Sequence, residues 1–333
     1  MKTLLVTGAT GFVGRNLLIR EIPRGTQILA PVRSAEKLRS QLILEGLDPR
    51  AVRSLDPEPE NWPTGIHPTH ALLSAGVLFA RNREEYFATN VDWTLRILEA
   101  LPESTRIVVL SSQSAGGPTP AGRRARTESD ADTPLTWYGK SKLALERALH
   151  AKSSRRLCIL RPPMILGPRD TATLPLFKMA TGLIRTKPGL RRKEFSFLSV
   201  EDVVEAIDAA WTCDASGPLY ISAHRTITDW ELIDTAARTA RGKGVTLPIP
   251  ITVVKAMSLL VDSIPALRRS APSLTRDRAK EIWADRWVVD SSAFRKATGW
   301  KNRHDLAETL REAFGHYVRE GHFASPTDPD GAS

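Results

Sequence analysis

The chain has 333 residues, of which 41% are hydrophobic and 25% charged, and 47 Lys and Arg against 37 Asp and Glu give a formal charge of +10. These values are ordinary for a globular protein and exclude wholesale disorder, and the length suits one large domain or two interleaved ones. All apolar runs are much shorter than the ~20 residues of a membrane span, and a secretory signal is not expected. With only Cys158 and Cys213 available, a disulfide framework is excluded, and we expect a reducing compartment, the cytoplasm.

The positive charge is scattered in short clusters. They occur at 123–126, 191–193 and 268–269. No zinc-ligand spacing, RNA-binding motif or long basic stripe accompanies them, so we predict neither a nucleic-acid partner nor a metal site. We interpret each cluster as a solvated face and expect the positive balance to favour an anionic small molecule such as a phosphate-bearing cofactor.

Strand-like and helix-like segments alternate through the first half of the chain. The predicted strands are 3–7, 26–32, 70–75, 106–110 and 157–160, and the predicted helices are 12–22, 34–44, 84–101 and 135–149. Continuous apolar strands separated by helices predict an α/β fold with a doubly wound parallel sheet covered on both faces. The stretch 56–68 carries four prolines and is predicted to be a loop that shortens one crossover.

The rhythm changes after Pro163, where prolines recur among helical stretches such as 251–264. Residues 200–211 and 219–222 nevertheless have the pattern of a helix and a strand of the sheet. The predicted domains are a sheet domain at 1–163, to which 199–225 returns, a smaller, interleaved, mainly helical substrate domain at 164–198 and 226–320, and a flexible tail at 321–333.

Three glycines follow the first predicted strand and open the first predicted helix. They are Gly8, Gly11 and Gly14 in TGATGFVG. Glycine permits a tight turn, and a helix N-terminus presents free N–H groups and a positive dipole to a pyrophosphate. This order predicts a dinucleotide site in a Rossmann-type sheet. The expected contacts here are Gly8, Thr10, Gly11, Phe12, Val13 and Gly14.

The residue at the end of the second strand indicates which nicotinamide cofactor binds. An acidic residue about 20 positions after the glycines would bond the ribose of NAD, whereas an arginine accommodates the 2′-phosphate of NADP. Arg33 stands there, and Arg15 and Lys37 could add positive charge. We therefore favour NADP(H), with NAD(H) as the alternative. Arg33 could also be a solvated loop residue with no role in binding.

Tyr138 is the only tyrosine with a lysine four residues on, in the segment YGKSK. Positions i and i+4 share a helix face, so Tyr138 and Lys142 can reach one pocket. A phenol titrates near about pH 10, and a nearby ammonium favours phenolate, which would let the phenol transfer protons near neutral pH. Taken alone, the pair could equally be exposed on a helix.

Serines follow the predicted strand 106–110, in the segment SSQS. In a doubly wound sheet, ligands bind outside the carboxyl ends of the strands, where a hydroxyl can bond a substrate oxygen. Serines also form ordinary turns, so their position alone does not decide between the two roles.

Together, TGATGFVG, SSQSAGGP, YGKSK, RPPMILGP and FSFLSVEDVVEAI resemble the extended branch of the short-chain dehydrogenase/reductase superfamily, up to about residue 320. The pattern is most similar to the 3β-hydroxysteroid dehydrogenase and dihydroflavonol-reductase-like group, often labelled NAD-dependent epimerase/dehydratase. The resemblance implies that Ser112 is the catalytic hydroxyl and Tyr138 the acid/base, while Lys142 lowers the phenol pKa and holds the nicotinamide ribose. Asn90 would support the local backbone and a proton-relay water.

The resemblance also implies further cofactor contacts and an assembly. The contacts are Ser74, Ala75, Gly76, Pro162, Tyr138 and Lys142. Many relatives pair through helices, so a homodimer is an expectation of the same kind. Contacts to adenine stay open, because Asp56 only doubtfully matches the acidic residue that usually follows the third strand.

Ser-Tyr-Lys chemistry serves alcohol oxidation, carbonyl reduction, epimerisation and dehydration. Met164 stands where nucleotide-sugar enzymes usually carry asparagine, and Trp137 and the apolar helix 251–264 favour a lipophilic or aromatic substrate. We therefore predict an NADP(H)-dependent oxidoreductase that moves hydride between nicotinamide and a carbonyl or secondary alcohol. The alternatives are a nucleotide-sugar epimerase or dehydratase, and a non-catalytic nucleotide-binding regulatory protein.

Overall fold

The computed structural model describes residues 2–152, 157–213, 215 and 217–324. The strands in chain order are β1 (Thr3–Thr7), β2 (Gln27–Pro31), β3 (Val52–Leu55), β4 (His70–Leu73), β5 (Arg106–Leu110), β6 (Leu157–Arg161), β7 (Met164–Leu166), β8 (Ile184–Pro188), β9 (Glu194–Phe195), β10 (Phe197–Ser199), β11 (Pro218–Tyr220), β12 (Ile227–Thr228), β13 (Val245–Ile249) and β14 (Arg286–Trp287).

The α-helices are α1 (Phe12–Glu21), α2 (Ala35–Leu44), α3 (Arg83–Phe87), α4 (Trp93–Ala100), α5 (Gln113–Gly116), α6 (Trp137–Lys152), α7 (Leu174–Ala180), α8 (Val200–Ala210), α9 (Asp229–Thr239), α10 (Ile251–Ser263), α11 (Pro265–Ser270), α12 (Arg276–Trp283), α13 (Ser292–Thr298) and α14 (Leu306–Arg319). A π-helical turn, Ala88–Asp92, joins α3 to α4, and short 3-10 turns occur at Ile22–Arg24, Pro49–Ala51, Pro59–Asn61 and Pro272–Leu274.

Seven strands form one parallel sheet in the order β11-β6-β5-β4-β1-β2-β3. The order runs outward in one direction from β1 to β3 and in the other from β4 onward, which is the Rossmann arrangement with β11 added at the edge. The predicted doubly wound α/β fold is confirmed. The strand order therefore reverses between the neighbouring strands β1 and β4. Ligands of such sheets bind at this reversal, beyond the carboxyl ends of the strands.

Helices cover both faces of the sheet, and successive residues of each strand point to opposite faces. Leu4 and Val6 of β1 belong to the apolar cluster beneath α1, α2 and α8, whereas Leu5 belongs to the cluster beneath α4 and α6. Because every residue of a central parallel strand meets apolar packing, the strands read as continuous apolar runs rather than alternating ones.

The other strands in the second half of the chain form small sheets separate from the seven-stranded one. β7 pairs with β10, β8 pairs with β13, and β9 lies between β12 and β14. Helix α14 packs its Leu310, Phe314 and Tyr317 into the same apolar cluster as α1 and α8. The first tail residues form a turn in which Phe323 packs on Phe314, with ring centroids 5.1 Å apart. Residues 325–333 of the predicted tail lie outside the described residues.

The structure corrects several sequence-based expectations. The predicted helix 84–101 is interrupted by the π-helical turn, and the loop 56–68 contains the 3-10 turn Pro59–Asn61. Two basic residues assigned to solvated faces are buried, because Arg126 and Lys193 are 1% and 4% exposed. The Arg126 guanidinium donates to the carbonyls of Pro118 and Ala131, so this cation stabilises loops instead of facing solvent. Among the described residues, no helix combines the length and apolarity needed to cross a membrane.

Candidate active site

The glycine turn connects β1 to α1 in very little space. Gly8 has a φ of +74°, and a Cβ added to it would lie 3.1 Å from the Cα of Ala75. A Cβ on Gly14 would lie 2.2 Å from the carbonyl oxygen of Gly8, so α1 can begin this close to the strand only because Gly14 has no side chain. Gly11 precedes α1 as its N-cap, and the first turn of α1 contains no acidic side chain. Free N–H groups and the helix dipole therefore meet no competing carboxylate from this turn.

Thr7 fastens the loop after β4 to the glycine turn. Its Oγ1 accepts hydrogen bonds from the backbone N–H groups of Ser74 and Ala75 at 3.0 and 3.1 Å. The Ser74 hydroxyl donates to the Thr7 carbonyl at 2.7 Å. These bonds hold 74–76 against the glycine turn where the strand order reverses, so the small-residue segment and the turn form one continuous cradle. Such a cradle fits a dinucleotide pyrophosphate.

Arg33 follows β2 and has an exposed side chain, as does Lys37 in the first turn of α2. Arg15, the other predicted source of positive charge, is paired with Glu45 at 2.9 Å. Glu45 also accepts two bonds of 2.6 Å from Arg169, and these hold the pKa of the Glu45 carboxyl below its ordinary value. The Arg15 guanidinium is therefore held in an ion pair, and of the three predicted cations Arg33 and Lys37 are the exposed ones.

Tyr138 and Ser112 lie together at the carboxyl end of β5. Tyr138 is in the first turn of α6, and its phenol lies close enough to the Ser112 side chain for Ser112 to lower the phenol pKa. Ser112 is the N-cap of α5 and accepts a bond from the N–H of Ser114 at 3.1 Å. The adjacent Ser111 is buried and donates to Glu146 at 2.5 Å, so it points away from the phenol and serves the core.

Lys142 connects the catalytic helix to the cofactor cradle. Its side chain is 4% exposed, and its Nζ donates to the Leu110 carbonyl at 2.9 Å. A Cβ on Gly76 would lie 3.4 Å from this Nζ, so the ammonium lies directly against the loop after β4. Desolvation lowers the pKa of Lys142 to about 8, although the Glu146 carboxylate opposes the shift.

Asn90 is fully buried in the π-helical turn and joins the same two elements. Its amide pairs with Val77 through bonds of 2.8 and 3.2 Å, and its Nδ2 also donates to Ser141 at 3.0 Å. The Ser141 hydroxyl in turn donates to the Tyr138 carbonyl at 2.8 Å. On the other side, the Pro162 carbonyl accepts from the N–H of Gln113 at 2.8 Å, which places the loop after β6 beside the serine loop.

Burial raises the pKa of Tyr138 above its ordinary value. The Arg278 cation and the nearby Ser112 side chain oppose this effect, whereas Glu281 and Tyr86 reinforce it. The prediction that the neighbouring lysine brings the phenol pKa below its usual range is therefore wrong for the chain by itself. The cost of removing phenolate from water exceeds the attraction of the surrounding cations.

Arg278 is a site residue that sequence reasoning missed. Its Cζ lies 5.1 Å from the ring centroid of Tyr138 and 5.5 Å from that of Phe79. Tyr86, also missed, is buried with its ring centroid 6.4 Å from that of Tyr138. Tyr86 stands one helical turn before Asn90, which is a usable signal, but no local motif points to Arg278 because it is distant in the chain. In the described ranges, no group of three or more metal-ligating side chains occurs.

Residues 4–220 match the model of the NAD dependent epimerase/dehydratase family. The chain belongs to this family. Its motifs place it in the extended short-chain dehydrogenase/reductase branch, as the sequence predicted, and the protein is an NAD(P)-dependent enzyme.

Similar proteins span the whole chain. The dTDP-6-deoxy-L-talose 4-dehydrogenase (NAD(P)(+)) of Kitasatospora kifunensis is 26% identical over 321 residues, which are 92% of this chain and 93% of the relative. The ceramide reductase of Caulobacter vibrioides is 27% identical over 325 residues, 95% and 94% of the two chains. The structure of RMD from Pseudomonas aeruginosa complexed with NADPH has a TM-score of 0.71 at 19% identity, covering 96% of this chain and all of that one.

Proposed function

We propose that the protein is an NADP(H)-dependent oxidoreductase in which Tyr138 exchanges a proton with a carbonyl or secondary alcohol of a lipophilic substrate. The observation that carries this proposal is the proximity of Ser112 to the Tyr138 phenol, with Lys142 on the same helix against the cofactor cradle. These groups lie beyond the carboxyl ends of β4 and β5, next to the glycine turn. Nicotinamide, when bound in that cradle, supplies or accepts the hydride.

In the reduction of a carbonyl, Ser112, Tyr138 and Asn90 have different roles. Ser112 donates a hydrogen bond to the substrate oxygen, where negative charge develops, and so stabilises the alkoxide that forms. Tyr138 gives its proton to that oxygen, and in the reverse direction it takes the proton from the alcohol. Asn90 keeps the cradle loop and the helix of Tyr138 in register through Val77 and Ser141.

A lipophilic substrate is supported by apolar side chains beside Tyr138. Leu78 and Phe79 are 38% and 39% exposed, and the Leu78 carbonyl accepts the Tyr86 hydroxyl at 3.1 Å. Trp137, the side chain expected to contact the substrate, has Arg83 and Lys140 over its ring at 5.1 and 4.4 Å. The apolar contact is therefore assigned to Leu78 and Phe79. The ceramide reductase among the relatives acts, by its name, on a lipid.

The test of this function compares substrates and one variant. We expect purified protein with NADPH to reduce ketones with long alkyl or aromatic groups, and Tyr138→Phe to lose this activity about 10²- to 10⁴-fold. The change in NADPH fluorescence on binding should persist in the variant, which separates loss of chemistry from loss of the cofactor. Unchanged turnover in Tyr138→Phe would remove Tyr138 from the mechanism, and conversion of UDP-sugars alone would establish an epimerase instead.

The preference for NADP(H) is proposed from Arg33 at the end of β2. A charge-assisted bond to the 2′-phosphate contributes about 1.5–3 kcal/mol, so Arg33→Ala should weaken NADPH binding at least about tenfold and leave NADH binding unchanged. Fluorescence titration measures both affinities. Arg39→Ala removes an equal charge from an exposed position further along α2 and is the matched control. Equal affinities of the unaltered protein for NADPH and NADH would refute the preference.

A further inference from the structure

Helix α12 is attached to the start of α6 by two hydrogen bonds, both to residues that immediately precede Tyr138. The carboxylate of Asp277 accepts a hydrogen bond from the backbone N–H of Trp137 at 2.8 Å. The carboxylate of Glu281 accepts one from the hydroxyl of the fully buried Thr136, also at 2.8 Å. The position of α12 is therefore set by the same turn that carries the proposed acid/base.

Between these two attachments, Arg278 lies over the phenol ring. Its Cζ is 5.1 Å from the ring centroid, and its side chain is 12% exposed. Both terminal nitrogens bond Glu281, at 3.2 and 3.1 Å, which keeps the guanidinium plane in place. In the part of the chain that the structure describes, the buried Nε of Arg278 has no hydrogen-bond partner.

These contacts restrict what Arg278 can do. Because the outer nitrogens are engaged with Glu281, the fork is not available as a receptor for an anionic substrate group. The guanidinium instead acts on Tyr138 through its face and its charge, since a cation over an aromatic ring is attracted to the ring and stabilises a nearby anion.

We propose that Arg278 is a positioning residue for Tyr138, and that Arg278 and Glu281 together set the pH range in which Tyr138 transfers its proton. This inference rests on the proposed function, because it concerns the acid/base step of that reaction. Arg278 favours the ionised phenol, and Glu281 favours the protonated phenol. Although the two side chains are ion-paired, each charge can be removed by its own substitution.

The other polar groups around the phenol come from three elements. Ser112, in the loop after β5, lies near the phenol and favours its ionised form. Tyr86 of α3 favours the protonated form. Lys142 of α6 has its ammonium bonded to the Leu110 carbonyl. Ser112 and Lys142 are not altered by substitutions in α12. The pKa of Tyr86 responds to Arg278 and Glu281 in the same directions as that of Tyr138, so its contribution is removed by a Tyr138→Phe signal measured in each α12 variant.

The test uses two substitutions with opposite expected effects. Arg278→Met removes the cation and should move the ionisation of Tyr138 upward by about one pH unit, because a charge at this distance shifts a pKa by one unit or more. Glu281→Gln removes the opposing anion and should move it downward by a similar amount, while its amide oxygen can still accept the Thr136 hydroxyl. A purely structural disturbance of the shared ion pair would move both variants in the same direction.

Two measurements report the shift. Stopped-flow pH jumps record tyrosinate absorbance before any unfolding, and subtraction of the Tyr138→Phe signal isolates this phenol. The pH profile of kcat for alcohol oxidation reports the same ionisation during turnover. The midpoint of its rising limb should shift in the same direction as the midpoint of the tyrosinate titration. Arg276→Met, on the same helix with an exposed side chain, is the control and should leave both profiles unchanged.

Shifts of the same sign, or no shift in a natively folded variant, overturn the proposal. If Arg278→Met does not fold, Arg278→Lys replaces it: this keeps a cation but loses the fixed fork, and should move the profile upward by less than one unit. The absorbance experiment requires no substrate. Opposite shifts in a protein without hydride transfer would therefore support the charge effect and refute only the proposed function.

Discussion

Lys142 illustrates how a functional group can oppose folding at the scale of one residue. Its ammonium is almost fully buried and has a carbonyl oxygen as its hydrogen-bond partner. Transfer of a charged amine from water into such surroundings is unfavourable, which is why its pKa lies near 8 instead of its ordinary 10.5. In the unfolded chain the lysine regains its ordinary pKa, so the folding equilibrium depends on pH through this group.

The direction of that dependence can be predicted. Between pH 8 and 10.5 the unfolded state holds more protons on Lys142 than the folded state, so the protein gains stability as pH rises through this window. Below pH 8 both states are protonated, and the full cost of the buried charge, about 3 kcal/mol, is present. Relative to Lys142→Met, which has no such group, the unaltered protein should therefore become more stable as pH rises.

Urea denaturation at neutral pH and at about pH 9.5 would measure this change as a difference between the two proteins. Lys296→Met, which removes an exposed lysine from α13, is the control and should show no such trend. A constant difference between Lys142→Met and the unaltered protein across the window would mean that Lys142 keeps an ordinary pKa. Removal of Lys142 should also abolish activity under the proposed function.

At the scale of elements, the connection from β1 to α1 depends on the missing side chain of Gly14. A methyl group there would lie 2.2 Å from the backbone oxygen of Gly8, which cannot move aside without opening the turn. We expect Gly14→Ala to weaken NADPH binding by at least about tenfold and to destabilise the fold by about 1–3 kcal/mol, since overpacking in a tight site costs this much.

The matched control is Gly315→Ala in α14, where the nearest atom is the end of the Arg319 side chain at 3.6 Å. A methyl group at Gly315 meets no backbone atom, and alanine loses less conformational entropy than glycine inside a helix. This alanine should therefore stabilise the protein by about 0.5–1 kcal/mol. Thermal unfolding and fluorescence titration distinguish the two variants. Normal NADPH affinity in Gly14→Ala would show that the close approach of α1 to β1 is not needed for binding.

Which elements could be predicted depends on how strongly burial marks the sequence. β1, β5 and β6 are central strands with four buried residues each, and their apolar runs identified them. β3 lies at the sheet edge with only Leu55 buried, so its residues carry almost no apolar pattern. The π-helical turn was missed because Ala88–Asp92 contains no glycine or proline that would mark a change of helix geometry.

At the scale of the whole molecule, the glycine turn between β1 and α1 was predictable and the surroundings of Tyr138 were not. The glycine turn and the Tyr138–Lys142 pair are local in sequence, so spacing and resemblance locate them. Arg278 and Glu281 reach the site through contacts between distant segments, and no periodicity encodes such contacts. For the same reason, buried Arg126 was mistaken for a surface charge, because its partners are backbone carbonyls that a sequence does not reveal.

The attachment of α12 to α6 divides the enzyme's chemistry between two stretches of polypeptide. The serine, tyrosine and lysine by which such proteins are identified lie in one stretch, and the charges that tune the phenol lie in another. Exchanges confined to α12 can consequently alter the acidity optimum of an enzyme whose recognition motifs are all intact. Under the proposed role of Arg278 and Glu281, this short charged helix would be the place to change the working pH of the enzyme and leave its cofactor motif untouched.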